Sequence, residues 1–246
     1  MGCRPRGKDM TLKKKRINLT IFLLLAFAAL IMGLFVSQNM PKKNTPIDSS
    51  RFHGTLLNKA REIGSFSLQG IDNKPFDNQS LQGQWTYLFF GFTHCGTICP
   101  TTLAEMAKMV RLLESQNIRP QPKIVFISLD PARDNLAKLK KYTQAFDPNF
   151  YAAIGEPSDL EKMTEELGVA YEKVEQAKAQ NAKENNENGN KDYNKDYNIE
   201  HTGTLMLFNP EGALQAFFTT PHQAEWLAED YQMLAQASEL SMRPRR

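Results

Sequence analysis

A chain of 246 residues, 41% hydrophobic and 23% charged, has the composition of a globular protein and excludes a disordered or fibrous one. Its net charge of +3 is local: seven of the 30 Lys and Arg and one of the 27 Asp and Glu lie in residues 1–36, leaving 23 and 26, a net −3, in the remainder. No basic stripe with interleaved aromatics is present, which excludes nucleic acid as a partner, and three cysteines are too few for a disulfide-stapled scaffold.

Residues 1–16 form a basic N-terminus, with Arg4, Arg6, Lys8, Lys13, Lys14, Lys15 and Arg16 against Asp9. Residues 17–36 follow without a charge, long enough to cross a bilayer as one transmembrane helix. The positive-inside rule then keeps residues 1–16 in the cytoplasm and exports the rest, to the periplasmic side of a cell inner membrane. A cleaved signal peptide is the rival, but its apolar stretch would be unusually long and no small-x-small site follows Val36. Cys3 precedes the apolar run and reads as an incidental cytoplasmic thiol. Residues 37–61 are polar and poorly periodic, a tether with a short helix near Leu56–Ala60.

The main domain, residues 62–240, alternates strands and helices. Gly64–Leu68 and Lys74–Phe76 flank a Gly-Ile-Asp-Asn turn as a small hairpin. Trp85–Phe90 is a buried strand, followed by a helix over Thr101–Ser115 with Leu103, Met106, Ala107, Val110 and Leu113 on one face. Lys123–Leu129 is a second buried strand, and Asn135–Phe146 a second helix. Ser158–Leu167 is a third, with Ser158 and Glu161 as a capping pair and Gly168 as its stop. Residues 176–198 are Asn-, Lys- and Glu-rich, with a duplicated Lys-Asp-Tyr-Asn, and read as a mobile low-complexity loop. Thr204–Phe208 and Ala213–Phe218 flank Asn209-Pro210-Glu211-Gly212 as a hairpin, and a last helix runs over Gln223–Ser238. Crossover helices followed by an antiparallel hairpin predict an α/β domain, a mixed sheet with helices on both faces.

The chemistry concentrates in Gly91-Phe92-Thr93-His94-Cys95-Gly96-Thr97-Ile98-Cys99-Pro100. Two thiols sit on a strand-to-helix turn, Cys99 beside the helix N-terminus, where unpaired amides and the helix dipole favour thiolate. Cys95 and Cys99 are therefore a redox couple or a soft-metal clamp. As a structural disulfide they would close a loop too short to brace the chain.

Three strings together, FFGFTHCGTICP, ISLDPARD (127–134) and EHTGTLMLFNPEG (200–212), resemble the Sco/SenC family, with the likeness running from about Ile63 to Tyr231. The resemblance implies a thioredoxin-like fold and a membrane-anchored copper chaperone of cytochrome c oxidase assembly, rather than an enzyme. It implies one copper, Cu(I) and/or Cu(II), held by the family's two cysteines at Cys95 and Cys99 and its histidine at His201. It also implies delivery to the oxidase's copper-bearing subunit. Two thiolates and an imidazole suit soft Cu(I), and a disulfide offers no thiolate pair, so a thiol reductase is implied as a second partner. The alternative is a thiol–disulfide oxidoreductase that reduces the oxidase's copper-site cysteines, with Cys95 and Cys99 as its redox pair and His201 dispensable. The family usually carries Pro and Asp after its first cysteine, where this chain has Gly96 and Thr97; that departure bears on redox potential rather than on ligand count. The resemblance also suggests that Asp130 lies close to the metal without binding it. Asp134 reads as the cap of the next helix, His94 stays outside the metal set, and His53 and His222 read as ordinary surface residues. The ten methionines are scattered and supply no ligand.

Overall fold

The structure, a computed structural model, describes residues 24–33, 49–175 and 197–242. The chain divides into two units, Met1–Thr45 and Pro46–Arg246. In the first, residues 24–33 form an exposed helix, α1. The other residues of the predicted anchor at 17–36 lie outside the described set, as do residues 176–196 of the predicted loop. Among the described residues no helix is long and apolar enough to cross a membrane.

Among the described residues the second unit has ten strands: β1 (Thr55–Arg61), β2 (Ser67–Gly70), β3 (Pro75–Asp77), β4 (Thr86–Gly91), β5 (Lys123–Ser128), β6 (Tyr151–Ile154), β7 (Tyr171–Glu175), β8 (Tyr197–His201), β9 (Leu205–Phe208) and β10 (Leu214–Phe218). Eight make one sheet in the order β1-β10-β9-β4-β5-β6-β2-β3, while β7 and β8 pair as a separate ribbon. β4 runs parallel to β5 and antiparallel to β9, and β5 runs parallel to β6. The sheet is mixed, as the alternation of elements predicts.

Four helices cover this sheet: α2 (Ile98–Ser115), α3 (Leu136–Gln144), α4 (Pro157–Leu167) and α5 (Ala224–Met242). All six residues of β4 are buried because helices lie on both faces of this central strand. Alternate side chains point to opposite faces. Tyr87 and Phe89 join Ile124 and Phe126 against Leu103 and Met106 of α2, Leu139 of α3 and Tyr231 of α5. Leu88 and Phe90 join Val125 and Ile127 against Leu160, Met163 and Leu167 of α4.

Several local readings are corrected. No helix forms near Leu56–Ala60: these residues lie in β1, an edge strand paired with β10, so the folded sheet starts within the segment read as tether. None of its side chains is fully buried, only Leu56, Leu57 and Ala60 are half-buried, and Lys59 and Arg61 guard the open edge. α2 starts at Ile98, three residues before the predicted Thr101. α4 starts on Pro157 at its first position, after Glu156 as N-cap, so Ser158 is inside the helix rather than capping it. Gly168 does end α4, in the left-handed conformation at φ 70°. Tyr197 and Asn198, read as the end of a loop, begin β8, and their partners Glu175 and Val174 belong to a strand the sequence reading lacks. His53 is exposed, as predicted, yet it is anchored to the core. Its amide and ring Nδ1, with the amide of Gly54, converge on the fully buried Asp230 carboxylate, and its ring stacks on Trp226.

Candidate metal centre

β4 delivers the chain to the edge of the core at Gly91, and a six-residue turn leads into α2. The turn is held by Asp134, whose carboxylate accepts from the Thr93 amide (3.1 Å), the Thr93 hydroxyl and the Ser128 hydroxyl (2.7 Å), with the Lys138 ammonium at 3.7 Å. Asp134 is therefore not the cap of α3. Asn135 is, its side chain accepting from the Lys138 amide. A buried acid at the carboxyl end of a parallel strand has a position that α/β folds use for sites, and here it ties the cysteine turn to β5.

Cys99, the second residue of α2, is fully buried, and Cys95 is half-buried. The Cys99 amide points at the Cys95 sulfur at 3.4 Å. His201 ends β8 with its Nε2 3.4 Å from the Cys99 sulfur. Its Nδ1 lies 3.1 Å from the Thr202 carbonyl, which can only accept, so Nδ1 donates there and Nε2 is the ring nitrogen turned to the sulfurs. Phe89 and Phe92 flank the imidazole at ring distances of 6.2 and 5.9 Å. Two sulfurs and one imidazole nitrogen thus lie within 4.8 Å of one another. This donor set fits copper: both thiolates are soft, and the apolar collar limits competition from water.

The thiols are electrostatically unlike. The Cys95 thiol is held down to about 4, first by its hydrogen bond with Cys99, then by His201 and the amides of Cys99 and Thr97, with burial opposing. The Cys99 thiol is pushed well up by the same hydrogen bond and by burial. Cys95 is the thiolate at neutral pH and Cys99 the thiol. Alkylation of Cys95 in the reduced, metal-free protein should therefore persist above, and fall away through, about pH 4, where an ordinary cysteine loses reactivity near 8.5. In Cys99→Ala the largest cause is gone, and the midpoint, followed by mass spectrometry of the alkylated peptide, should move upward.

The carboxylate of Asp130 contacts Arg133 and the Tyr197 hydroxyl (2.5 Å), at the start of the strand that His201 ends. The His94 ring is exposed and turned to the Lys138 ammonium at 3.2 Å. His222 is half-buried, with Nε2 2.7 Å from the carbonyl of Gly203, and burial lowers its pKa. Arg133, Asp134 and Tyr197 are absent from the predicted site. For Asp134 the available signal was the end of a buried parallel strand; for Tyr197, inside a duplicated polar tetrapeptide, there was none.

The SCO1/SenC family profile matches residues 54–236. The chain belongs to the SCO1/SenC family. Over 166 residues it is 31% identical to mouse SCO2 homolog, mitochondrial, covering 68% of this chain and 59% of that protein. The structure of Arabidopsis thaliana ScoI with copper bound superposes with a TM-score of 0.59 at 28% identity, over 72% of this chain and 98% of that one. Bradyrhizobium japonicum ScoI with copper bound gives 0.55 at 29%, over 68% and 95%. The fold of this Sco protein is thioredoxin-like, with the cysteine turn at the carboxyl end of its central strand.

Proposed function

We propose that this Sco protein binds one copper ion through Cys95, Cys99 and His201 and delivers it to the copper centre of cytochrome c oxidase. Residues 17–36 would anchor it in the cell inner membrane, with the N-terminus cytoplasmic and the domain periplasmic. One observation carries the reading: two sulfurs and an imidazole nitrogen converge within 4.8 Å in a chain whose relatives have copper-bound structures. The Sco family is described as one of cytochrome c oxidase assembly proteins.

Copper is cargo in this reading. Both cysteines must be reduced to accept it, which calls for a thiol reductase, and release proceeds by exchange onto an acceptor with similar soft donors. The unequal thiols favour a second reading, in which the Cys95 thiolate attacks a disulfide of the oxidase's copper site and Cys99 resolves the mixed disulfide.

His201 separates the two. Reduced wild-type protein should bind one copper per chain and, as Cu(II), show a thiolate charge-transfer band. In His201→Ala the band should shift or vanish and affinity should fall. Copper binding indifferent to His201, with disulfide reduction intact, would overturn the metal reading in favour of the reductase.

A further inference from the structure

His201 reaches the thiols from a ribbon that stands apart from the main sheet, since β7 and β8 pair only with each other among the described residues. A two-stranded ribbon has little stability alone, so the contacts that dock it decide where His201 sits. At the His201 end the Thr202 amide bonds the Ala170 carbonyl, closing the base of the ribbon on itself. In the middle, Ile199 is buried in the core. At the other end stands a polar cluster.

Arg133 lies with its guanidinium 3.6 Å from the Tyr197 ring centroid and donates from Nη1 to the Tyr197 carbonyl at 2.8 Å. Its Nε donates to Asp130, and the Tyr197 hydroxyl donates to the same carboxylate at 2.5 Å. Asp130 is fully buried and the arginine side chain is 13% exposed. The guanidinium also lies 5.7 Å from the Phe92 ring, three residues before Cys95, and Phe92 packs edge-on to His201. One planar group thus touches the β5–α3 turn, the ribbon and the start of the cysteine turn. Only arginine offers two directed donors and a stacking face at once.

We propose that Asp130, Arg133 and Tyr197 form a latch that docks the β7–β8 ribbon and thereby sets His201 over the cysteine pair. Arg133 and Tyr197 are positioning residues that act through His201, and the proposal rests on the reading of His201 as a copper ligand. Arg133→Lys keeps a cation beside buried Asp130 but loses the fork and the stacking face. Tyr197→Phe keeps the ring but loses the hydroxyl.

The test uses the full chain with each substitution, alone and combined with His201→Ala. In the reduced, metal-free protein, hydrogen exchange of β8 amides should quicken about tenfold in Arg133→Lys, with β4 and β5 amides unchanged, and less in Tyr197→Phe. Cu(I) affinity should fall about tenfold in Arg133→Lys, the scale of losing support for a ligand, and show no further fall once His201 is alanine. Unchanged β8 exchange in both variants overturns the latch. An equal loss of Cu(I) affinity in the His201→Ala background also overturns it, because the arginine would then act on the cysteine turn through Phe92. If His201→Ala alone leaves Cu(I) affinity untouched, the ligand reading fails, while the exchange measurement, which contains no copper, still decides whether the latch docks the ribbon.

Discussion

Cys99→Ser is expected to lower Cu(I) affinity by more than about a hundredfold, because removing even an outer partner of a ligand costs about 10–100-fold and this change removes a donor itself. Serine offers a hard oxygen where Cu(I) prefers sulfur. The position is also fully buried and faces His201 Nε2 at 3.4 Å, so no exposed group can swing in to replace it. Proton release gives an independent reading of the same site. At pH 7 Cys95 already lacks its proton and Cys99 retains one, so copper loading of wild type should release about one thiol proton. Cys99→Ser should release about none at the sulfur ligands, because the serine hydroxyl still donates to the Cys95 thiolate and no second thiol remains. Competition against a chromophoric Cu(I) chelator gives the affinity, and a pH indicator in weak buffer gives the count. Release of two protons would show Cys95 to be an ordinary thiol, and unaltered affinity would remove Cys99 from the site.

What the sequence made legible follows the range of the interactions involved. β4 and β5 are short apolar runs buried on both faces, and the cysteine turn is contiguous with β4, so local pattern sufficed for them. His201 has no local signal of its own. It was reached through the resemblance, and the fold brings it to Cys99 across 102 residues. β1 has no apolar run or clean alternation to mark it: an edge strand with only three half-buried positions and guarding charges resembles a polar tether. β7 was missed because its partner lies beyond a low-complexity stretch, and a polar ribbon has no apolar run to mark it. The adjacent acids and amides at Asp134-Asn135 could each cap α3. Only the placement of Thr93 shows that Asp134 serves the cysteine turn and leaves Asn135 to the helix. Likewise His53 gained its role from Asp230, 177 residues away, which no local reading can pair.

Gly91→Ala should damage both fold and site, while Gly96→Ala, five residues on, should be nearly silent. Gly91 ends β4 directly beneath Cys99. A Cβ there would stand 2.6 Å from the Cys99 sulfur and 2.7 Å from Cε2 of the fully buried Phe126. Neither side can yield readily. β4 is held between β5 and β9, the Gly91 carbonyl accepts from the Leu129 amide at 2.7 Å, and Phe126 is wedged against Phe89 and Tyr142. Overpacking of this kind costs about 1–3 kcal/mol, and each kcal/mol lowers Tm by about 2–4 °C in a domain of this size. The sulfur is the smaller obstacle, so it is the group expected to move, and a metal site tolerates donor shifts of only about 0.2 Å. Copper affinity should therefore fall together with Tm. At Gly96 an added Cβ meets nothing within 4 Å and the residue is exposed, so both quantities should stay near wild type, within about 0.5 kcal/mol. Thermal melts and Cu(I) competition on the two variants check this. Equal, small effects at both positions would show that Cys99 is not seated against the end of β4, and that the space left by Gly91 is not what admits its sulfur to the site.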